Sequence, residues 1–178
     1  DVPEDTKVSL AEIEKNFGAE VATLVGGITK LGSIKYRGIE RYIENLRKMF
    51  IAIAEDLRVI LIKFADRLHN LKTLYALPRN KQIRIASEVL EIYAPIANRL
   101  GMYEMKGNLE EESFKYLYPK EYNWLKKLIE EQTKVKEKYL NKVVYFVKEE
   151  LKNEGLEFIE VRGRVKQLYS LYQKLLKH

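Results

Sequence analysis

Phe64-Ala-Asp-Arg-Leu-His-Asn-Leu-Lys-Thr73 is the stretch on which the reading of this chain turns. Just upstream, Leu57, Val59, Ile60, Leu61 and Ile62 leave almost no polar face, which predicts a central core helix from Leu57 to Leu77, stopped by Pro78. Asp66, Asn70 and Thr73 then fall at i, i+4 and i+7, along one side of that helix. A carboxylate on a buried helix is costly unless a cation or hydrogen-bond donors compensate it. The pattern therefore asks for a metal ion or an ionic partner at Asp66.

Helical signals continue on both sides. Ser9-Leu-Ala-Glu12 fits a capping box opening a helix that Gly18 ends. The next helix, from about Ala19 to Thr29, crosses Gly26-Gly27, where poor propensity predicts close packing or a bend. Ile39, Ile43, Leu46, Phe50 and Ile53 recur near the helical period over Tyr36 to Ala54. Asn80 is expected to cap a helix carrying Ile83, Ala86, Val89, Leu90, Tyr93 and Ile96, closed at Gly101. A helix over Tyr103 to Tyr118 precedes a long one from Pro119 to about Asn153, where Gly155 stops it. Trp124, Leu125, Leu128, Ile129, Val143, Val144, Phe146 and Leu151 are its expected core face.

Leu156-Glu-Phe-Ile-Glu-Val-Arg162 alternates loosely and predicts a strand, broken by Gly163 before a helical pattern resumes at Arg164. The expected fold is mainly α: a helical body over 1–154, then the lead of an α/β unit over 155–178.

The 178 residues suffice for one substantial domain, and 46% hydrophobic content excludes a disordered chain. Absence of cysteine excludes disulfides and thiolate metal sites and permits a reducing, cytoplasmic setting. No apolar run approaches the roughly 18 to 20 residues of a membrane span, and no signal peptide opens the chain. The net charge of +6 suits a polyanion, either nucleic acid or a phosphate-rich nucleotide, although a solvated basic surface has the same composition. The chain starts at Asp1 without Met and stops inside a helical pattern, so it reads as a piece of a longer protein.

Asp1, Glu4 and Asp5 bring three carboxylates to the opening segment. Such a cluster is ordinarily a frayed acidic end. With Asp66 as a partner it also has the parts of a hydrolytic metal site: oxygen ligands, and a carboxylate to orient the attacking water. His69, three residues after Asp66, is more ordinarily a structural hydrogen-bond donor than a ligand. Lys63 and Arg47-Lys48 are phosphate-contact candidates among many solvated cations. Gly163-Arg-Val-Lys-Gln-Leu-Tyr-Ser-Leu-Tyr172 mixes cations with aromatics, a pairing suited to a nucleotide and equally to an amphipathic helix start.

Taken in order, these segments resemble the RelA/SpoT family, enzymes that make and degrade ppGpp and pppGpp. The resemblance is carried by Asp1-Val-Pro-Glu-Asp-Thr6, Leu24-Val-Gly-Gly-Ile-Thr-Lys-Leu31, Asp56 to Leu74, Glu91-Ile-Tyr-Ala-Pro-Ile-Ala-Asn-Arg-Leu-Gly-Met102 and Gly163 to Lys174, and covers nearly the whole chain. It implies an HD-domain-like helical bundle that removes the 3′-pyrophosphate of guanosine 3′,5′-bis(diphosphate) with manganese. On that resemblance Asp1 and Asp66 are metal ligands, Glu4 and Asp5 handle the hydrolytic water, and Asn70 and Thr73 contact the guanosine part of the substrate; Lys63, as a cation on the same helix, is expected to be substrate-binding as well. Arg164, Lys166 and Ser170 match the early nucleotide-binding segment of a synthetase domain that uses magnesium, ATP and GDP or GTP. The chain departs from the family pattern at Gly26, where Asp is usual, at Asn98, where His is common, and at Val165, where Pro is common. The family's metal-binding histidines, including the one expected just before Asp1, are not in the sequence, so the polypeptide alone is expected not to hydrolyse substrate.

Two other readings use the same residues. One is a GTP pyrophosphokinase with a degenerate hydrolase; the other is a non-catalytic basic helical module docking on RNA or the ribosome.

Overall fold

Ser9 and Glu12 cap each other at the first well-formed helix: the Ser9 backbone N–H donates to Glu12 Oε2 at 2.8 Å, and the Glu12 N–H donates to Ser9 Oγ at 3.3 Å. This start, and the computed structural model that contains it, describes residues 2–32, 47, 50–51, 53–157, 160–163 and 166–177. Most of the helix expected over Tyr36 to Ala54 lies outside the described residues, though 53–55 are helical.

The first of two units is Asp1–Glu112. A short helix α1 (Val2–Asp5) leads into α2 (Leu10–Phe17), which Gly18 ends at φ 89°, and α3 (Ala19–Gly32). The central helix α4 (Leu57–Thr73) follows, capped by Asp56, whose Oδ1 accepts from the Arg58 N–H at 2.9 Å. A 3-10 turn, Leu74–Ala76, finishes it before Pro78, and Leu77 is extended at ψ 155°, as a residue before proline prefers.

α3 packs on α2 and on α4, and the glycine pair explains how closely. A Cβ at Gly27 would lie 2.8 Å from Val59 Cγ2, while one at Gly26 would meet Leu10 Cδ1 at 3.4 Å. Close packing, rather than a bend, is the reason for glycine at 27.

α5 (Arg79–Glu88), a π turn (Val89–Tyr93) and α6 (Ala94–Arg99) form one interrupted helix, ended at Gly101 with φ 74°. Its N-cap is Pro78 rather than the expected Asn80, which sits within the first turn. Proline's fixed φ starts the helix without a side-chain cap, and Gln82 donates to the Leu77 carbonyl at 2.8 Å instead. Pro95 accounts for the π turn: it lacks an N–H, and its ring crowds the Glu91 carbonyl four residues back. The core of this unit holds Ile60, Phe64, Leu71, Leu74, Val89 and Leu109, all fully buried.

α7 (Tyr103–Leu117) runs into the second unit, Ser113–His178, which holds α8 (Pro119–Asn153) and α9 (Leu168–Leu175). Here Phe114 is ringed by Tyr118, Tyr122, Tyr169 and Tyr172, with Tyr172 stacked on it at 5.0 Å. Of the eight apolar side chains expected to bury α8, only Leu125 reaches the fully buried state; Trp124, Leu128, Val143 and Phe146 are exposed. The helix is far longer than α9, the short helix that packs along it, so much of its apolar face has no cover among the described residues of the unit.

The strand expected over 156–162 is not found among the described residues, which are all helical or irregular. A strand exists by pairing, and no second extended segment is described beside it. Gly163 serves a different purpose from the expected strand break: a Cβ there would lie within 3 Å of Leu140 and Val144 on α8. Among the described residues, no helix is long and apolar enough to cross a membrane.

Candidate functional site

Lys63 lies one turn before Asp66 on α4 and is buried although it is charged, with a side chain 6% exposed. Its ammonium sits 3.7 Å from Asp66 Oδ2. Burial, then the adjacent Arg67 charge, push the Lys63 pKa down; Asp66, Glu4 and Glu88 oppose that shift. Glu4 belongs to α1, so the lysine's electric surroundings join the opening segment to the centre of α4.

Asp66 is less buried than the apolar pattern around it implied, with a side chain 34% exposed. Leu57, Leu61 and Ile62 are likewise exposed, and only Val59 and Ile60 of that run enter the core. The compensation expected for a deeply buried carboxylate is therefore a lesser requirement, but both kinds of partner are present. Lys63 supplies charge, and Asn70 Nδ2 donates to Asp66 Oδ1 at 3.1 Å. The i, i+4 spacing makes that bond possible.

Thr73 continues the row, but its hydroxyl donates to its own helix, to the His69 and Asn70 carbonyls at 3.3 and 3.2 Å. His69 is exposed rather than tucked in the core. Glu4 and Asp5 are exposed on α1. Asp1 and Arg164 lie outside the described residues. Lys166 and Ser170 belong to the second unit, Lys166 exposed just before α9 and Ser170 half-buried within it.

Three residues of this neighbourhood were not singled out by the sequence pattern. Arg67, next to Asp66, reaches Glu88 Oε1 at 3.2 Å, with both side chains largely buried. Its guanidinium also lies over the Tyr93 ring, 5.2 Å from the ring centre. Burial works against the Arg67 charge, yet the pairing with Tyr93 and Glu88 leaves its pKa raised; burial, with Glu88 nearby, raises the Tyr93 phenol. With the phenol neutral at ordinary pH, Glu88 is the charge partner. An Arg midway along an apolar helix, and a Pro inside another, were the available signals.

The donor chemistry at Asp66 fits one ligand position of a hard divalent ion: an open carboxylate with one oxygen anchored by an amide. The described residues do not complete a shell, since no three carboxylate or imidazole groups gather among them.

Residues 1–103 match the HD domain family. Over 98% of its length the chain is 46% identical to a guanosine-3′,5′-bis(diphosphate) 3′-pyrophosphohydrolase of Aquifex aeolicus, covering 25% of that protein. It is 45% identical over 98% of its length to a GTP pyrophosphokinase of Myxococcus xanthus, covering 24% of it. It is also 42% identical over 99% of its length to the bifunctional (p)ppGpp synthase/hydrolase SpoT of Escherichia coli, covering 25%. The chain thus spans about a quarter of the length of the curated relatives it matches. The helices described in the first unit and the family match over residues 1–103 agree: the chain belongs to the HD domain family.

Proposed function

We propose that this region removes the 3′-pyrophosphate of guanosine 3′,5′-bis(diphosphate), within a protein that also carries a synthetase. The observation that carries the reading is Lys63, a buried ammonium 3.7 Å from Asp66 whose field also takes in Glu4 of α1. A cation held beside the Asp66 carboxylate is suited to receive a pyrophosphate that the carboxylate alone would repel.

Asp66 and Asp1 are the proposed ligands of a divalent ion, for which manganese suits mixed carboxylate and imidazole donors. When bound, the ion would neutralise charge at the phosphate under attack. Asn70 holds the Asp66 carboxylate in one orientation, and Asn70 and Thr73 are placed on the guanosine part of the substrate. Glu4 and Asp5 orient the attacking water and take its proton. Hydrolysis breaks the bond between the ribose 3′ oxygen and phosphorus, releasing pyrophosphate.

Residues 155–178 are proposed to begin the synthetase domain, with Arg164, Lys166 and Ser170 toward ATP and GDP or GTP, and magnesium as its ion. The likeness to a GTP pyrophosphokinase supports a second reading, in which synthesis dominates and hydrolysis has decayed. Pyrophosphate release from guanosine 3′,5′-bis(diphosphate) by the full-length protein separates them. The hydrolytic reading expects manganese-dependent release that Asp66→Ala abolishes; absence of release in the unaltered protein, with synthesis intact, favours the second. Cytoplasmic location is proposed along with these substrates.

A further inference from the structure

The π turn brings together two residues that a regular helix would separate. Five residues on an α-helix turn through about 500°, leaving side chains about 140° apart. In the π turn the Ala94 N–H bonds the Val89 carbonyl, an i to i+5 link that stacks residues five apart. Glu88 and Tyr93, also five apart, therefore face the same way and converge on the Arg67 guanidinium. Phe64, one turn before Arg67, meets the Tyr93 ring edge-on at 6.5 Å and 80°. Both rows of contact come from a single face of α4.

We infer that Arg67, Glu88 and Tyr93, aligned by the Pro95-induced π turn, form a clamp that fixes the rotation of α4 and are positioning residues for Asp66. Asp66 precedes Arg67 by one residue, about 100° around the helix axis. With Arg67 and Phe64 held against the interrupted helix, the part of α4 that carries Asp66, together with Lys63 and Asn70, keeps one direction relative to that helix. A helix free to roll would carry the carboxylate away from whatever it serves. Packing of Phe64 alone tolerates such rolling, because apolar contact is non-directional. A guanidinium seated between a carboxylate and a ring face is not so tolerant. The inference rests on Asp66 being the functional carboxylate, as proposed above.

Pro95→Ala is the informative variant. It restores a backbone donor and removes the ring clash, so helix propensity favours the substituted chain. A clamp that serves only stability predicts no loss on that change. The positioning role predicts an unchanged or raised thermal midpoint, together with displacement of the Asn70 side-chain amide signals in a 15N spectrum of this chain. Those signals are identified by their absence in Asn70→Asp. Glu88→Gln, which keeps an acceptor but removes the charge, is expected to move the same signals. In the full-length protein both variants are expected to lower pyrophosphate release by about 10- to 100-fold, the usual effect of losing a partner that orients a ligand. Folded Pro95→Ala and Glu88→Gln proteins whose Asn70 signals coincide with the parent's would overturn the clamp. If the signals move but Asp66→Ala leaves release intact, the clamp stands and the hydrolytic reading falls.

Discussion

The Asn70 amide donates to the Asp66 carboxylate across one turn of α4, at 3.1 Å. The bond fixes which oxygen of Asp66 stays available to an incoming ion. Asn70→Ala is therefore expected to weaken manganese binding by the full-length protein by about 10- to 100-fold while leaving its unfolding midpoint nearly unchanged, because Asn70 is only half-buried. Titration calorimetry with the metal alone checks this.

Lys63 separates stability from function more sharply. Burying an ammonium opposes folding, and Asp66, its ion-pair partner, is open enough to water to survive alone. Lys63→Met should leave stability unchanged or raise it by about 1 kcal/mol. Pyrophosphate release should fall at least about tenfold, the equivalent of 1.4 kcal/mol in the transition state. Thermal unfolding and product release, measured on the same preparation, test both halves.

Gly27 sets the distance between α3 and α4. Gly27→Ala would gain about 1 kcal/mol of helix propensity but drive a methyl against Val59, whose branched side chain has little freedom to turn aside. Overpacking of this kind costs about 1–3 kcal/mol, so net destabilisation is expected. Adding Val59→Ala should recover part of the loss attributable to the clash, a coupling that a double-mutant cycle by urea denaturation measures.

The capping box gives a pH dependence with a definite sign. Donation from the Ser9 backbone N–H, then from its hydroxyl, holds the Glu12 carboxyl below its usual pKa. A carboxylate depressed on folding stabilises the folded state above its unfolded pKa, and that contribution disappears as pH falls through the folded value. The stability difference between the parent and Glu12→Gln should therefore be present at pH ~6 and shrink toward pH ~3. Urea denaturation at the two pH values measures it, and an undiminished difference at the lower pH would contradict the assignment.

Elements with local causes were legible in the sequence. Ser9 and Glu12, Gly18, Gly101, Pro119 and Gly155 start or stop helices through their own backbone or side-chain chemistry, and the structure places helix ends at each of them. The Asp66–Asn70 pair was legible for the same reason, since i and i+4 on one helix must meet. Burial was less so. Trp124, Phe146, Leu57 and Ile62 have core-like character and are exposed, because apolar spacing shows which residues share a face but not whether another element covers it. The strand expected over 156–162 is likewise not found among the described residues, and pairing is a property of two segments.

The sequence by itself determined the helical class, most helix ends and the row of polar groups on α4, all set by interactions within a few residues. Only the tertiary structure decided that Lys63 is buried in the field of Glu4 as well as Asp66, and that Glu88 and Tyr93 close on Arg67. Those relationships join residues on separate helices, where the distance along the chain gives no measure of the distance in space.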